Sequence, residues 1–443
     1  MADQFVVLGL ARSRCAWFSE LARWSTSAVA PIEYVKCLTP DEARAVIGSG
    51  RRLSALVVDA GIPRLDRDLV ALATSVDAAT LVVDDGATRR DWDGLGCAAV
   101  LPDDFGPQEL VELLVRHASP VDRTTRRRSH AVIQRSERPA APLIGVTGAG
   151  GTGVSTVAMA LAQALGAAQS VALADGARDA DLAMYHDVGD VIPGFPELVE
   201  AHRIDRPDPE QVRDLLFSIE SRGYQLLLGQ RRRRDSAAMH PGSIAASIDG
   251  LRRSFELVIV DHDPDVDGEE ETGSIDLEER HALARHVVAH ADLVLLVGRP
   301  GVKGLHDLLR HGDRLVGAGL PADRLLPVVN HTPRHPAARA AATRALAELR
   351  ADSPDGGVVI PPLFLRPARA LEDAHRSATR LPDHLTRPLE RAVRRHLLQH
   401  GPRAIDDAPP RIARGDLGMT ARSGAAGAQG VRHHRPGDRS DVA

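Results

Sequence analysis

Residues 148–156 carry the most informative chemistry in the chain. A phosphate-binding loop reads G-x-x-x-x-G-K-[ST]: its backbone N–H groups surround phosphates, its Lys bridges the outer ones and its hydroxyl holds Mg²⁺. Two glycines and Ser155 stand at the matching positions, but Val154 occupies the lysine position. The loop therefore has the backbone of a phosphate cradle without its cation. The residues predicted to bind are Gly148, Gly150, Gly151, Thr152, Gly153, Val154, Ser155 and Thr156.

Two acidic residues end apolar segments that read as strands. Asp261 closes the run from Phe255, and Asp175 closes the run from Ser170. A carboxylate at such a strand end is placed to hold Mg²⁺ or its water. We predict Ser155 and Asp261 as the Mg²⁺ ligands if a nucleotide binds, Asp175 and Asp261 as candidate catalytic acids, and ATP with Mg²⁺ as the candidate cofactor. The alternative is an ordinary α/β domain that carries acids at its strand ends.

The first 118 residues alternate short apolar runs with helical patterns. Such alternation predicts a parallel, doubly wound sheet. Strands are predicted at 5–10, 32–38, 54–59, 80–84 and 98–101, and helices at 13–25, 40–49, 66–74, 88–93 and 107–117.

A second α/β pattern follows a stretch rich in Arg, Pro, Ser and Thr. We predict a domain at 1–118, a flexible linker at 119–141, a second domain at 142–400 and a disordered tail at 401–443. Strands of the second domain are predicted at 143–146, 171–174, 224–228, 257–260, 293–297, 325–329 and 358–360. The predicted fold class is α/β, with two doubly wound parallel-sheet domains.

Composition narrows the class of protein. The 443 residues have a net charge of −5, whereas a dedicated nucleic-acid binder usually has a strongly basic domain, so nucleic acid is not the expected partner. The basic residues are almost all Arg, with lysines only at Lys36 and Lys303. The three cysteines match no metal-site spacing and read as free thiols, which fits a reducing cytoplasm, and no signal peptide is evident at the start; we expect a cytoplasmic protein.

Residues 142–400 resemble the MinD/ParA family of deviant Walker ATPases, whose loop reads K-G-G-x-G-K-[ST]-T. Here Ala149 stands at the signature lysine that reaches across a dimer, and Val154 at the ordinary loop lysine. Asp261 matches the family's acid beside magnesium. Asn330, directly after a predicted strand, matches its adenine-contacting Asn. The first switch usually reads D-x-D; here Asp175 is kept and Ala177 takes the second place.

Loss of both lysines predicts weak or absent ATPase activity. Phosphoryl transfer depends on electrostatic stabilisation of the transferring group, and each charged contact to phosphate contributes roughly 1.5–3 kcal/mol. One alternative is an active ATP-hydrolysing switch in which arginine replaces the lysines. Arg178 and the run at 231–234 are the candidates.

Residues 1–118 resemble a response-regulator receiver, with Asp59 at the phosphoacceptor position. The family's acid pair after the first strand is absent, since Ala11 and Arg12 stand there, and its Lys before a Pro is Leu101. The resemblance implies a pseudo-receiver used for docking or dimerisation. The alternative is a working phosphoacceptor in a phospho-signalling output protein.

A degenerate receiver before a MinD/ParA-like domain resembles the CpaE/TadZ architecture and its lysine-less relatives, the septum-site-determining proteins. This resemblance implies a homodimeric positioning factor at a cell pole or septum, serving Flp-type (tight adherence) pilus assembly or cell division. Its partners would be secretion, pilus or division-site proteins. A last helix around Leu389 and Val393 would either touch a membrane peripherally or pack on its own domain. A chromosome-partition role is a further alternative.

Overall fold

A computed structural model describes residues 4–121, 140–188, 192–232, 239–351 and 361–401, apart from the single positions 28, 64, 87 and 89. Two predicted segments fall almost wholly outside these residues: the linker, of which 122–139 is not described, and the tail, of which 402–443 is not described. The predicted strand at 358–360 and two of the candidate arginines, Arg233 and Arg234, also lie outside them.

The first sheet has five parallel strands in the order β2-β1-β3-β4-β5. Its elements are β1 (Phe5–Leu10), α1 (Ala16–Thr26), β2 (Ile32–Cys37), α2 (Pro40–Gly48), β3 (Ala55–Asp59), α3 (Arg67–Ser75), β4 (Ala79–Val83), β5 (Ala99–Leu101) and α4 (Pro107–His117). Side chains alternate along a strand, so Leu8 packs with α2 and α3 on one face and Val7 with α1 and α4 on the other. The predicted doubly wound parallel sheet is confirmed.

The helix predicted at 88–93 is wrong, because the described positions of this stretch form no helix and residues 92–96 form turns. Trp92 Nε1 donates to Asp84 Oδ2 at 2.8 Å, and the N–H of Gly94 donates to Asp91 Oδ1 at 2.8 Å. Gly96 has a φ of 96°, in the left-handed region that ends helices. These local bonds replace the helical ones.

The second sheet has eight strands in the order β13-β12-β11-β6-β10-β7-β9-β8. The strands are β6 (Leu143–Gly148), β7 (Val171–Asp175), β8 (Phe217–Ile219), β9 (Tyr224–Leu227), β10 (Leu257–Asp261), β11 (Leu293–Gly298), β12 (Leu325–Val329) and β13 (Leu363–Phe364). All pairs are parallel except β8 with β9. Sequence reasoning missed both edge strands, β8 and β13, which have three and two residues.

Helices cover both faces of this sheet. They are α5 (Val154–Gly166), α6 (Phe195–Ile204), α7 (Pro209–Arg213), α8 (Pro241–Ser254), α9 (Glu269–Thr272), α10 (Ile275–His290), α11 (Val302–Gly317), α12 (Pro336–Ala351), α13 (Leu371–Arg376) and α14 (Asp383–His400). One core holds side chains from α6, α8, α10, α11 and α12, and the other those from α5, α13 and α14. The sheet is therefore doubly wound, as predicted.

The last described helix, α14, packs on its own sheet. Leu385, Leu389 and Val393 are buried in the core that α5 also lines, whereas Leu398 is 87 % exposed. This packing uses the apolar stripe that a membrane-binding helix would need to present. No helix among the described residues is long and apolar enough to cross a bilayer.

Helix α3 of the first sheet packs against α6 and α8 of the second. Asp66 is 3 % exposed at this contact, which we call the inter-sheet joint. Its carboxylate accepts from the N–H of Leu69 at the start of α3, from Arg44 of α2 at 3.1 Å and from Arg203 of α6. One buried carboxylate thus caps a helix and joins the two sheets.

Main-chain acceptors complete the inter-sheet joint. Arg67 Nε donates to the carbonyl of His202 at 2.9 Å, and the Arg90 guanidinium donates to the carbonyl of Ile204. Ser243 Oγ of α8 donates to Asp68 Oδ1 at 2.7 Å. The end of α6 and the start of α8 are therefore both held against α3.

Candidate nucleotide-type site

The cradle between β6 and α5 has the backbone that the sequence predicts. Gly148, Gly151 and Gly153 have φ values of 155°, 75° and 93°, which L side chains rarely adopt. A Cβ on Gly148 would lie 2.2 Å from the carbonyl oxygen of Val297, whereas a Cβ on Gly150 would meet nothing within 4 Å. Glycine is thus required at the base of the loop, and its tip is open.

Helix α5 begins directly after the loop and supplies free N–H groups and a partial positive charge, which favour an anion. Val154 is its first residue. The valine side chain is half-buried and packs against the core beneath α5. It therefore contributes packing where a lysine would contribute charge.

The amide of Asn330 braces the cradle. Its Nδ2 donates to the carbonyl of Thr152 at 3.0 Å, and its Oδ1 accepts from the N–H of His331 at 2.9 Å. A Cβ on Gly153 would lie 2.5 Å from this Nδ2. Asn330 therefore has a structural partner at each end of its amide, and its contact with a nucleotide base stays a prediction.

Asp175 and Asp261 lie side by side. They are register partners on the parallel strands β7 and β10, and they are 1 % and 3 % exposed. Burial raises the pKa of Asp261 to about 7, against a hydrogen bond from the Ser155 hydroxyl that lowers it. Burial, followed by the nearby charge of Asp261, raises the pKa of Asp175 well above its ordinary value. The pair would be neutralised by protons or by a cation.

Arg178 follows β7 and bridges to the loop that follows β10. Its N–H and its Nε donate to Asp263 Oδ2 at 3.0 and 2.8 Å, and its Nη2 donates to Asp265 Oδ2 at 3.0 Å. Its carbonyl accepts from Gln230 Nε2 at 3.0 Å. The guanidinium is thus bound to two carboxylates. A second candidate arginine, Arg231, pairs with Glu197 at 3.3 Å.

Thr156, the last residue of the predicted cradle, contacts a residue that sequence reasoning missed. Its Oγ1 lies 3.3 Å from His375 Nε2, and the His375 ring packs on Tyr185 with centroids 4.5 Å apart. Burial, followed by the charge of Arg222, lowers the pKa of His375. No local pattern could reveal this contact, because 219 positions separate its partners.

Both carboxylate oxygens of Asp59, in the first sheet, accept hydrogen bonds. Its Oδ1 accepts from the N–H of Gly61 at 2.9 Å, and its Oδ2 accepts from Cys15 Sγ at 3.1 Å. Burial and the Asp59 carboxylate raise the pKa of the Cys15 thiol to about 11. Arg12, which stands where a receiver carries an acid, donates to the carbonyl of Gly61 at 2.8 Å. These neighbours supply a thiol and a guanidinium rather than further carboxylate ligands for Mg²⁺.

The residues present fit a phosphate and its Mg²⁺ in part. The open glycine tip and the start of α5 fit the phosphate oxygens. The Ser155 hydroxyl acts on the Asp261 carboxylate and so lies near it, as two neighbouring ligands of one cation would be placed. Among the described residues, no group of three or more His, Cys, Asp or Glu side chains could hold a metal ion. A cation would therefore need phosphate or water oxygens to complete its shell.

No protein-family model matches this chain, and no curated protein matches it. Solved structures that align with it include a ParA-family ATPase from Chlorobium tepidum TLS, at 16 % identity and a TM-score of 0.45, covering 57 % of this chain and 98 % of that one. The septum site-determining protein MinD complexed with Mg-ADP from Pyrococcus horikoshii OT3 aligns at 18 % identity and a TM-score of 0.41, covering 57 % and 95 %. Apo McdA from Cyanothece aligns at 18 % and 0.42, covering 58 % and 99 %.

Proposed function

We propose that this chain is a spatial regulator with a degenerate nucleotide site and weak or absent ATPase activity. The observation that carries the proposal is the pairing of an intact cradle backbone with a valine that packs into the core where the catalytic lysine would stand. A cradle without its cation retains N–H groups for phosphate. It lacks the charge that would stabilise the transferring phosphoryl group.

The finer proposal is a positioning factor of the septum-site-determining or CpaE/TadZ type. In it, residues 142–400 form a MinD/ParA-like domain that dimerises through the cradle face, and residues 1–118 form a pseudo-receiver that docks partners at a pole or septum. The partners would belong to a pilus-secretion or division-site assembly. Support comes from the predicted motif spacing and from the thiol and arginine around Asp59.

Calorimetric titration with Mg-ATP tests the degenerate site. The native chain is expected to bind weakly or not at all, and Val154→Lys is expected to bind roughly 10-fold or more tightly, because a charged contact to phosphate contributes about 1.5–3 kcal/mol. Val154→Met is the matched control, since it lengthens the side chain without adding charge. Equal affinities of the Lys and Met variants would contradict the proposal.

An ATPase that uses arginine in place of lysine is the competing function. The contacts of Arg178 disfavour it, because that guanidinium is bound to Asp263 and Asp265. Native turnover of ATP that disappears in both Arg178→Ala and Asp261→Ala would favour this alternative over our proposal.

Cellular position can be tested separately from nucleotide binding. A fluorescent fusion of the native chain is expected to form foci at a pole or at the septum, whereas uniform fluorescence would contradict a positioning role. Light scattering on the purified chain, with and without Mg-ATP, would test the proposed homodimer.

A further inference from the structure

An arginine, Arg299, follows β11 at the edge of the second sheet that also carries the cradle. Strand β11 lies next to β6, and Val297 is the register partner of Gly148, the residue at the base of the cradle. Neighbouring strands of a sheet are about 4.8 Å apart. Arg299, two residues beyond Val297, therefore leaves the sheet beside the first residues of the cradle loop.

The side chain of Arg299 belongs to the face of the sheet that α5 covers. Val297 is buried in the core that α5 lines, and side chains alternate along a strand, so positions 297 and 299 share this face. Burial, followed by the charge of Arg299, lowers the pKa of His331. The Nε2 of His331 would lie 3.9 Å from a Cβ on Gly153, the residue directly before α5. The guanidinium of Arg299 thus acts on a ring that lies against the cradle.

The guanidinium of Arg299 is available to an anion. Arg299 is exposed, and among the residues that the structure describes neither a carboxylate nor another acceptor binds its side chain. The other described arginine near the cradle strands, Arg178, is bound to Asp263 and Asp265. Arg299 therefore carries a positive charge that no neighbouring side chain neutralises directly.

The cradle has groups of opposite charge on its two flanks. The strand order β11-β6-β10 places Arg299 on one side of β6 and Asp261 on the other. Phosphate oxygens on the β11 flank would meet positive charge, whereas those on the β10 flank would need a cation between them and the acid. The arginine is therefore on the flank where a phosphate needs no metal ion to be held.

We propose that Arg299 binds the phosphate chain of a ligand in the cradle and supplies the positive charge that Ala149 and Val154 lack. A guanidinium presents parallel N–H donors that match two oxygens of one phosphate group. The open tip at Gly150 leaves space for such a ligand. This inference rests on the proposed function, since the cradle must hold phosphate, and it concerns binding rather than turnover. The phosphate chain belongs to a nucleotide or to an inorganic polyphosphate.

Calorimetric titration of the full chain with Mg-ATP tests the role of Arg299. The native chain is expected to bind weakly, and Arg299→Met is expected to bind roughly 10-fold or more weakly still, because a charge-assisted contact to phosphate is lost. Arg299→Lys keeps the charge without the planar donors and is expected to fall between the two. Equal affinities of the native chain and Arg299→Met would overturn the proposal.

Lys303 offers a matched control on the same edge. Its side chain is 89 % exposed, and its Nζ lies 2.6 Å from Asp307 Oδ2, a carboxylate that Arg310 also binds. Lys303→Met removes the same unit of charge and is expected to change the affinity less than about 2-fold. Both substituted side chains are exposed, so the unfolding temperature without ligand should stay unchanged in both variants. Equal weakening by the two substitutions would overturn the assignment of Arg299.

Tripolyphosphate carries the same phosphate chain without sugar and base. Binding of both probes should depend on Arg299; tighter binding of ATP would identify a nucleotide, and equal binding an inorganic polyphosphate. No binding of either probe by the native chain, together with binding of ATP by Val154→Lys, would overturn the role of Arg299 and leave the proposed function standing. Rapid ATP turnover by the native chain, with binding that still depends on Arg299, would overturn the proposed function alone.

Discussion

Asp175 and Asp261 are paired in register on adjacent parallel strands, with their side chains almost wholly removed from solvent. Two like charges at such a distance cannot both ionise easily without a cation nearby. The guanidinium of Arg178, which follows Asp175 along the chain, is bound to Asp263 and Asp265. The pair is therefore stabilised by bound protons or by a nearby cation.

The first prediction concerns the pH dependence of stability. The folded-state pKa of Asp261 is raised from 3.8 to about 7, so its contribution to stability is fully present below about pH 4 and is lost as the pH rises through 7. Each pKa unit corresponds to about 1.4 kcal/mol. Asp261→Asn is expected to flatten the fall in the free energy of unfolding between pH 4 and 8, as measured by urea denaturation. The exposed Asp103→Asn is the control and should leave the fall unchanged.

The second prediction concerns the cradle backbone. Gly148→Ala places a Cβ 2.2 Å from the carbonyl oxygen of Val297 on a backbone with φ of 155°, so it should lower the free energy of unfolding by at least about 2 kcal/mol. Gly150→Ala, in the same loop but in open space, should change it by less than about 0.5 kcal/mol. Chemical denaturation measures both, and similar losses in the two variants would contradict the loop geometry.

The third prediction concerns the inter-sheet joint. Asp66→Ala removes a buried carboxylate that caps α3 and binds Arg44 and Arg203. The substitution should lower the free energy of unfolding by about 3 kcal/mol. Asp41→Ala removes an exposed partner of the same Arg44 and should lower the free energy of unfolding by less than about 0.5 kcal/mol. Hydrogen exchange should rise in α3 and at the end of α6 only in the Asp66 variant. Unchanged exchange there would argue that the two sheets are held by other contacts.

The fourth prediction concerns Asp59. Incubation with a small phosphodonor and Mg²⁺ should leave the native chain unphosphorylated. The Asp59 carboxylate accepts hydrogen bonds from the Cys15 thiol and the N–H of Gly61, and Arg12 stands where a receiver has a Mg²⁺-binding acid. Intact-mass spectrometry measures the outcome. A stable mass gain of one phosphoryl group that Asp59→Asn abolishes would support the phospho-signalling alternative instead.

Local sequence patterns predicted the features that depend on the conformation of neighbouring residues. The cradle and the two strand-end acids follow from glycine spacing and from apolar runs that end in a carboxylate. Contacts between distant side chains left no such signal. Thr156 meets His375 across 219 positions, and Asp66 meets Arg203 across 137, because helix packing brings them together. The Arg178 bridge was equally hidden, because the sequence made this arginine a candidate replacement for the lysines and gave no sign of its carboxylate partners.

The inter-sheet joint has a consequence for how this chain can vary. Arg67 and Arg90 bind the main-chain oxygens of His202 and Ile204, and every amino acid carries that oxygen. The exposed side chain of Ile204 can therefore change without loosening the attachment, provided that α6 still ends at the same turn. Homologous chains should therefore preserve the length of that helix, together with Arg203, more strictly than the identity of its last residue, Ile204.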